Sequence, residues 1–190
     1  MNELLFFDPV LDLFPEEIKD KLSTYITEKS YSKGHILFSN DKLERNIYII
    51  KKGIARAYIE SEGKDVTIWF GKENDVIISA RGYVYGEKGY ETMELLEDSV
   101  LYEIELCRLS ALYYDDIDIC NWGRRFIERE FARTERHLIS NLTQSAKERY
   151  LYLIQHKKAI LQRVQLQHIA SYLGISPEHL SRIRASLTNK

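Results

Sequence analysis

The sequence predicts an α+β protein in three successive parts: an antiparallel β-sandwich or barrel, a long helix and a helix-turn-helix. Three observations support this division. Short β-branched and aromatic runs with a period of two fill the first half of the chain, and turn residues separate them. From residue 121 the apolar residues recur every three or four positions, which indicates a helix. Residues 166–185 have the apolar spacing of two short helices that cross at a glycine turn.

The first element is a short helix, predicted over residues 15–26. Pro15 stands at its start, two acidic residues occupy its first turn, and Ile18, Leu22 and Ile26 share one face. Seven strands are predicted to follow, at residues 35–38, 46–50, 54–59, 66–70, 75–78, 92–96 and 100–104. Short strands separated by turn signals at this even spacing are typical of an antiparallel sandwich or barrel.

The long helix carries one apolar stripe among charged residues, which is the pattern of a coiled-coil seam. We predict a homodimer through this stripe, because it continues for several turns and a helix-turn-helix usually works as a symmetric pair. The predicted seam residues are Phe126, Ile127, Phe131, Thr134, Leu138 and Leu142. The alternative is that this helix packs only on its own barrel.

The last part predicts the helix-turn-helix in detail. Ala170 is small enough for a second helix to cross close to it, and Gly174 stands at the turn, where φ can be positive. Ser176 is placed to cap the second helix, and Pro177 is placed at its first position. The residues predicted to pack between the helices are Ile169, Leu173, Ile175, Leu180 and Ile183. The alternative is an ordinary helical hairpin.

Charge and cysteine content narrow the function classes. Residues 146–190 carry eight bases and two acids, whereas residues 1–145 carry 19 bases and 27 acids, so a basic module follows an acidic body. This distribution favours a polyanionic partner at the C-terminal end.

Two cysteines without a Cys/His cluster predict no metal site and fit a reducing cytoplasm. The acidic start and the lack of a long apolar window predict no signal peptide and no membrane span.

The order of these parts resembles the cyclic-AMP receptor protein/FNR (Crp/Fnr) superfamily of bacterial transcription factors. The likeness covers nearly the whole chain. It is strongest over residues 31–38, 46–53, 65–70, 96–99, 145–150 and 163–184. The sequence is most similar to the short regulators of this superfamily found in Bacteroidetes-type bacteria, which tend to stop soon after the recognition helix.

The resemblance implies three domains and a function. These are a cyclic nucleotide-binding-like sensor (residues 1–120), folded as a double-stranded β-helix or jelly-roll, a dimerisation helix (121–145) and a DNA-binding helix-turn-helix without a full wing (146–190). It further implies a cytoplasmic regulator that binds inverted-repeat double-stranded DNA as a homodimer and contacts RNA polymerase. No catalytic motif stands out, so we do not expect an enzyme.

The effector site is where the sequence departs from the family. Cyclic-nucleotide binders hold the phosphate with a Glu and an Arg, but the matching positions here lie in residues 78–80 and at Gly89-Tyr90 and carry neither. Arg81 is nearby, but a single base without a predicted partner is more typical of a surface loop. We therefore expect no tight binding of cyclic AMP by the usual mode, and no cofactor. The candidate pocket residues are Ile77, Ser79, Arg81, Tyr83, Tyr85, Thr92 and Met93, which predict either a mixed cavity for an unknown effector or an infilled pocket.

The DNA site follows the family more closely. Glu178 and Arg182 match its base-reading pair, and their spacing places them on one face of a helix. The alternatives without a DNA-binding role are that the Glu178 carboxylate only stabilises the N-terminus of its helix through the helix dipole, and that Arg182 is only an exposed, solvated side chain. Candidates for flanking or phosphate contacts are Ser176, His179, Ser181, Arg184, Lys147, Arg149 and Arg163. A second function stays open: a ligand-binding or protein-interaction module whose helix-turn-helix no longer reads DNA.

Overall fold

The structure is a computed structural model and describes residues 15–188. Its elements, in chain order, are α1 (Glu16–Leu22), β1 (Thr27–Tyr31), β2 (Ile36–Phe38), β3 (Asn46–Lys52), β4 (Ala55–Ser61), β5 (Lys64–Gly71), β6 (Val76–Ile77), α2 (Ala80–Tyr85), β7 (Thr92–Leu95), β8 (Ser99–Glu105), α3 (Leu106–Asp115), α4 (Ile117–Thr143), α5 (Ala146–His156), α6 (Lys158–Arg163), α7 (Leu166–Tyr172) and α8 (Pro177–Thr188). Residues 1–14, where we predict no signal peptide, lie outside the described residues.

The strands form a β-roll of two four-stranded sheets. The strand orders are β1-β8-β3-β6 in one sheet and β2-β7-β4-β5 in the other. Every pairing is antiparallel, so the predicted jelly-roll architecture is confirmed. The long helix and the C-terminal helices follow the roll, as the sequence predicts.

All seven predicted strands are present, and none of their ends moves by more than two residues. Strand β1 was not predicted, because its sequence TEKSY is polar and its side chains are mostly exposed on the edge of the first sheet. The predicted first helix is too long: it ends at Leu22, and the chain then enters the pairing of β1 with β8. Helix α4 begins at Ile117 rather than at residue 121, because Asp116 accepts from the backbone N–H groups of Asp118 and Ile119 and caps it.

Three apolar clusters hold these elements together. One fills the β-roll around Ile50, Ile77 and Leu101. A second packs α1, α3 and the start of α4 against the first sheet, and it includes Trp122 and Phe126. Phe126 is only 5% exposed and packs on its own β-roll, so we exclude it from the predicted seam.

The third cluster joins the β-roll to the C-terminal helices. Ile54 and Phe70 contribute from the roll, and the remaining buried members lie between Tyr150 and Ile183. A polar contact accompanies it: the backbone N–H of Thr67 donates to the Ser171 hydroxyl at 2.9 Å, and that hydroxyl donates to the Asp65 carbonyl oxygen at 2.9 Å. The helix-turn-helix is therefore docked on strand β5.

An ion-pair network fixes the same junction. The Arg163 guanidinium donates to both carboxylate oxygens of Glu73, at 2.7 and 2.9 Å, and its Nε donates to Glu97 at 3.1 Å. Glu73 also accepts from the backbone N–H of Gly53 at 3.0 Å. These contacts, with the bonds from Arg163 as the largest cause, lower the pKa of Glu73 to about 2. Arg163 is thus held by two carboxylates of its own chain, which makes it a weaker candidate for phosphate contact.

Replacing Glu73 with Gln should destabilise the fold in a pH-dependent way. The folded pKa of Glu73 lies below its ordinary value, so its charged form stabilises the fold above about pH 5, and this contribution is lost as the pH falls toward about 2. The difference in the free energy of unfolding between wild type and Glu73→Gln, measured with urea, should therefore shrink between neutral pH and about pH 3.

The matched control is Glu28→Gln, which removes a half-exposed carboxylate that pairs with Lys51 on the surface. We expect a small change for this variant, because exposed ion pairs contribute little. If both variants show the same small and pH-independent change, the Arg163 network does not stabilise the junction.

Candidate nucleic-acid interface and effector pocket

The turn between α7 and α8 has the geometry that its sequence predicts. Gly174 has φ +65°, and the backbone N–H of Ile175 donates to the Ala170 carbonyl oxygen at 3.0 Å while that of Gly174 donates to Ser171 at 3.0 Å. This pair of bonds is a Schellman motif, which requires a left-handed residue just past the helix end. On the other side of the turn, the Ser176 hydroxyl accepts from the backbone N–H of His179 at 3.2 Å, and Pro177 opens the helix.

The two helices cross on the predicted apolar residues. Ala170 and Leu180 are fully buried, and Ile169, Leu173 and Ile183 are nearly so. Since this face of α8 is buried, its other face is available to a partner. All six residues predicted to contact DNA through this helix are exposed: Ser176, Glu178, His179, Ser181, Arg182 and Arg184.

Glu178 and Arg182 form the chemical centre of this exposed face. The Ser176 hydroxyl, hydrogen-bonded to the Glu178 carboxylate, lowers the pKa of that carboxyl, and the nearby charge of Arg182 lowers it further. Glu178 is therefore ionised at neutral pH. A carboxylate and a guanidinium one turn apart can pair with donors and acceptors on base edges in a major groove.

The candidate phosphate contacts divide into two kinds. Lys147 is exposed and stays a candidate. Arg149 instead lies inside the junction, where it donates to the Leu173 carbonyl oxygen at 2.7 Å and to the Asn141 carbonyl oxygen at 3.2 Å. These carbonyl groups belong to the ends of α7 and α4, so Arg149 braces two helix termini. Its sequence position gave no sign of this role, because both partners are set by the tertiary fold.

The predicted effector residues are only partly brought together. Ile77 and Met93 are buried in the packed interior of the β-roll. The Tyr83 hydroxyl donates to the Tyr113 hydroxyl at 3.3 Å, near the C-terminal end of α3, and Tyr85 is 71% exposed. Thr92 is half-buried on β7. Ser79 and Arg81 lie at the start of α2, where a cyclic-nucleotide binder would hold its phosphate.

A polar cluster surrounds the start of α2. The sequence gives Arg81 no predicted partner, but in the structure Arg81 donates to Glu87 and to the Tyr90 hydroxyl. Its guanidinium also lies over the Tyr90 ring. Three buried polar atoms have no hydrogen-bond partner there: Ser79 Oγ, Arg81 Nε and Glu91 Oε1. A Cβ at Gly89 would lie 2.6 Å from Ser79 Oγ and 2.8 Å from Glu91 Oε1, so these groups are close together. Glu91 was not identified from the sequence, although it directly follows Gly89-Tyr90, where the family has its phosphate-binding Arg.

Glu91 reverses the electrostatics expected for a phosphate site. The family's cassette presents an Arg close to this position, whereas here the unpartnered Oε1 of Glu91 lies in the same small region as the Ser79 hydroxyl. A phosphate anion would meet a carboxyl group where it needs a donor. The unpartnered Ser79, Arg81 and Glu91 atoms are suited to a ligand that both donates and accepts hydrogen bonds.

The second half of α4 carries an uncovered apolar stripe. Phe131, Leu138 and Leu142 are 71%, 58% and 76% exposed. Ile127 and Thr134, also predicted for the seam, are exposed on the same helix. These five residues recur at intervals of three or four positions, so they share one side of the helix.

Comparison with known proteins agrees with this architecture. Residues 28–116 match the family model of the cyclic nucleotide-binding domain. FixK2 from Bradyrhizobium japonicum is 21% identical with a TM-score of 0.76, over 86% of this chain and 85% of that one. CLP from Xanthomonas campestris, a c-di-GMP-responsive global regulator, is 13% identical with a TM-score of 0.75, over 92% of each chain. A regulator from Eubacterium rectale assigned to the Crp/Fnr family is 18% identical with a TM-score of 0.71, over 90% of this chain and 82% of that one. No curated protein sequence matches this chain.

Residues 28–116 are therefore similar to the cyclic nucleotide-binding domain family. The chain has the fold of the Crp/Fnr regulators, which confirms the fold that the resemblance implied. Within residues 15–188, no helix combines the length and the apolar character needed to cross a membrane. The same residues contain no group of three or more His, Cys, Asp and Glu side chains that could hold a metal ion.

We predict that the β-roll does not bind cyclic AMP tightly. The Glu and Arg that meet the ribose and phosphate are missing, and loss of two charge-assisted contacts removes several kcal/mol of binding free energy. Titration calorimetry with cyclic AMP and cyclic GMP should show no saturable heat at low micromolar concentration. Saturable binding in that range would contradict the prediction.

Proposed function

We propose that this protein is a sequence-specific DNA-binding transcription regulator of the Crp/Fnr type that acts as a homodimer. The observation that carries the proposal is the exposed pair of Glu178 and Arg182 on α8, whose opposite face packs the core of the helix-turn-helix. This arrangement leaves the base-reading groups on a surface that nothing in the described chain covers. As a regulator of this type the protein works in the cytoplasm and meets RNA polymerase at its promoters.

Dimerisation supplies the second half of the DNA site. Two recognition helices must enter successive major grooves on one face of a duplex, about 34 Å apart. The exposed stripe of Ile127, Phe131, Thr134, Leu138 and Leu142 supports the proposal of a partner helix, because soluble chains rarely leave such a row of apolar side chains in water. Burying each large apolar side chain contributes roughly 1.5–3 kcal/mol, and a symmetric dimer buries each of them twice.

The β-roll would act as the sensor, with an effector other than a tightly bound cyclic nucleotide. The unpartnered polar atoms of Ser79, Arg81 and Glu91 support a small ligand with both donor and acceptor groups. The roll contacts the helix-turn-helix directly through β5, so a change in the roll has a short path to the DNA-binding surface.

Leu138→Glu should convert the dimer into monomers. The carboxylate would have to be buried against an apolar partner helix, which costs far more than the lost apolar contact alone. Light scattering coupled to size-exclusion chromatography measures the mass directly. The matched control is Val84→Glu, which places the same charge at an exposed apolar position on α2, away from the stripe. A dimer that survives Leu138→Glu would mean that the seam lies elsewhere.

Arg182→Ala should weaken binding to an inverted-repeat duplex by about 1–3 kcal/mol and relax the base preference at one position in each half-site. Selection of binding sites from a random library at two salt concentrations, followed by sequencing, measures both effects.

Lys147→Ala should behave differently. The affinity for all DNA sequences should fall about equally, and the salt slope should fall by about one unit.

Arg124→Ala is the control for charge alone, since its guanidinium pairs with Glu128 in the first half of α4. If Arg182→Ala changes neither the selected motif nor the affinity, the helix-turn-helix does not read DNA through this face. The protein-interaction function would then be the better proposal.

A further inference from the structure

A cavity of about 190 Å³ lies where α4, α5 and α7 meet, far along the chain from the β-roll pocket. Its walls come from the second half of α4, from α5 and from the end of α7, so it sits at the joint between the long helix and the helix-turn-helix. The volume is below the 300–1,000 Å³ typical of sites for drug-sized molecules. The cavity is therefore suited to a small ligand.

The walls of this cavity are strongly basic. Arg133, Arg136, Arg149 and Lys157 line it together with His137, and no Asp or Glu is among the described residues of the lining. Four permanent or near-permanent cations around one small space are unusual for a structural void, because like charges repel at short range. Such a cluster is typical of a site that receives an anion.

Two of the guanidinium groups are positioned without being neutralised. Arg136 donates to the Tyr152 hydroxyl at 3.0 Å. Arg149 donates to the carbonyl oxygens of Leu173 and Asn141, and its Nε is buried with no hydrogen-bond partner. Neutral oxygens hold both groups in place, so their positive charge remains available to a ligand.

The other two cations differ in their surroundings. Arg133 donates to the Phe70 carbonyl oxygen at 2.7 Å and to Glu130 at 3.3 Å, so it is partly neutralised. Lys157 has its ammonium 5.8 Å from the centre of the Tyr172 ring, and the described residues give it no ion pair. Tyr172 also stacks on His137, with the ring centres 4.8 Å apart, and these rings form one wall of the cavity.

Burial and the neighbouring cations both disfavour a positive charge on Lys157 and on His137. Burial first, and then the charges of Arg133 and Arg136, lower the pKa of Lys157 to about 8, although Asp75 and Glu130 act in the opposite direction. Burial also lowers the pKa of His137, and the charges of Lys157, Arg149 and Arg133 lower it further. An anion in the cavity would relieve this repulsion and favour the protonated forms of both residues.

We propose that this cavity binds a small phosphate-type dianion, either free phosphate or the phosphate group of a compact ester, through Arg136, Arg149 and Lys157. The forked guanidinium groups match the oxygens of a phosphate, and Leu153 and Leu173 offer apolar surface to the carbon atoms of an ester. The bound anion would connect α4 to α5 and α7 and so hold the helix-turn-helix in its docked position. This binding site rests on the cavity itself and does not depend on whether the helix-turn-helix reads DNA.

The experiment is titration calorimetry on the full-length, DNA-free protein, with inorganic phosphate and with glycerol 3-phosphate as probes, at constant ionic strength set with chloride. We expect saturable binding of one anion per chain. Arg136→Gln and Lys157→Met should each weaken binding by at least about tenfold, since each removes one charge-assisted contact. Arg124→Gln, which removes an exposed guanidinium on the same helix, should leave binding unchanged. Tighter binding of the ester would identify esters as the ligand class, and equal binding would identify the free anion.

A second readout separates ligand binding from a structural role of these side chains. Binding near about pH 8 should take up protons, because the anion raises the pKa of Lys157 and of His137. Calorimetry in buffers of different ionisation enthalpy measures this uptake, and Lys157→Met should reduce it while its far-ultraviolet circular dichroism stays like that of wild type. Absence of saturable binding by the wild-type protein, or binding that both cavity variants leave unchanged, would overturn the proposal.

Discussion

The position of the helix-turn-helix depends on the contact between the C-terminal helices and strand β5 of the same chain. Ile54 and Phe70 extend the core of the C-terminal helices into the β-roll, and burial of such side chains supplies most of the free energy of docking. Arg163 adds a smaller, pH-dependent contribution to the free energy of docking, because its ion pairs with Glu73 and Glu97 are only partly exposed. A bidentate guanidinium pair has one good geometry, so it fixes the angle at which the apolar surfaces meet.

The turn between the last two helices could be predicted from the sequence because it depends on interactions between residues that are close along the chain. Gly174, Ser176 and Pro177 each act within a few residues, through a positive φ, a cap and a fixed φ, and the structure shows all three effects. The strands were predictable for the same reason, since alternating apolar side chains follow the pleat of the sheet. The edge strand β1 was missed because a strand that is exposed on the rim needs no apolar alternation.

Long-range partners explain what the sequence could not predict. Arg163 finds its carboxylates 66 and 90 residues away, and nothing near it in the sequence distinguishes it from a free base. Phe126 and Phe131 are five positions apart and so lie on different sides of α4, and one packs on the β-roll while the other is exposed. Periodicity identifies an apolar stripe but not the surface that covers each part of it. Glu91 was missed because its proximity to Ser79 is created by the fold around α2.

The charges at the start of α2 and at the joint of α4, α5 and α7 differ from those that the resemblance to cyclic-nucleotide binders implies. The place that holds a phosphate in cyclic-nucleotide binders contains the half-buried Glu91, with one buried carboxylate oxygen, and Arg81, which is hydrogen-bonded to Glu87. The basic side chains lie instead at the joint of α4, α5 and α7. The cationic cluster therefore lies at the joint between the long helix and the C-terminal helices rather than inside the β-roll.

Arg149 has a consequence for how the C-terminal unit can move. The last carbonyl groups of a helix lack partners within it, and this one side chain satisfies Asn141 at the end of α4 and Leu173 at the end of α7. A planar fork cannot follow two helix ends that rotate apart, so a gradual change of angle breaks one bond before another can form. Rotation of the C-terminal helices about the bend at Gln144 therefore requires that at least one of these two hydrogen bonds break.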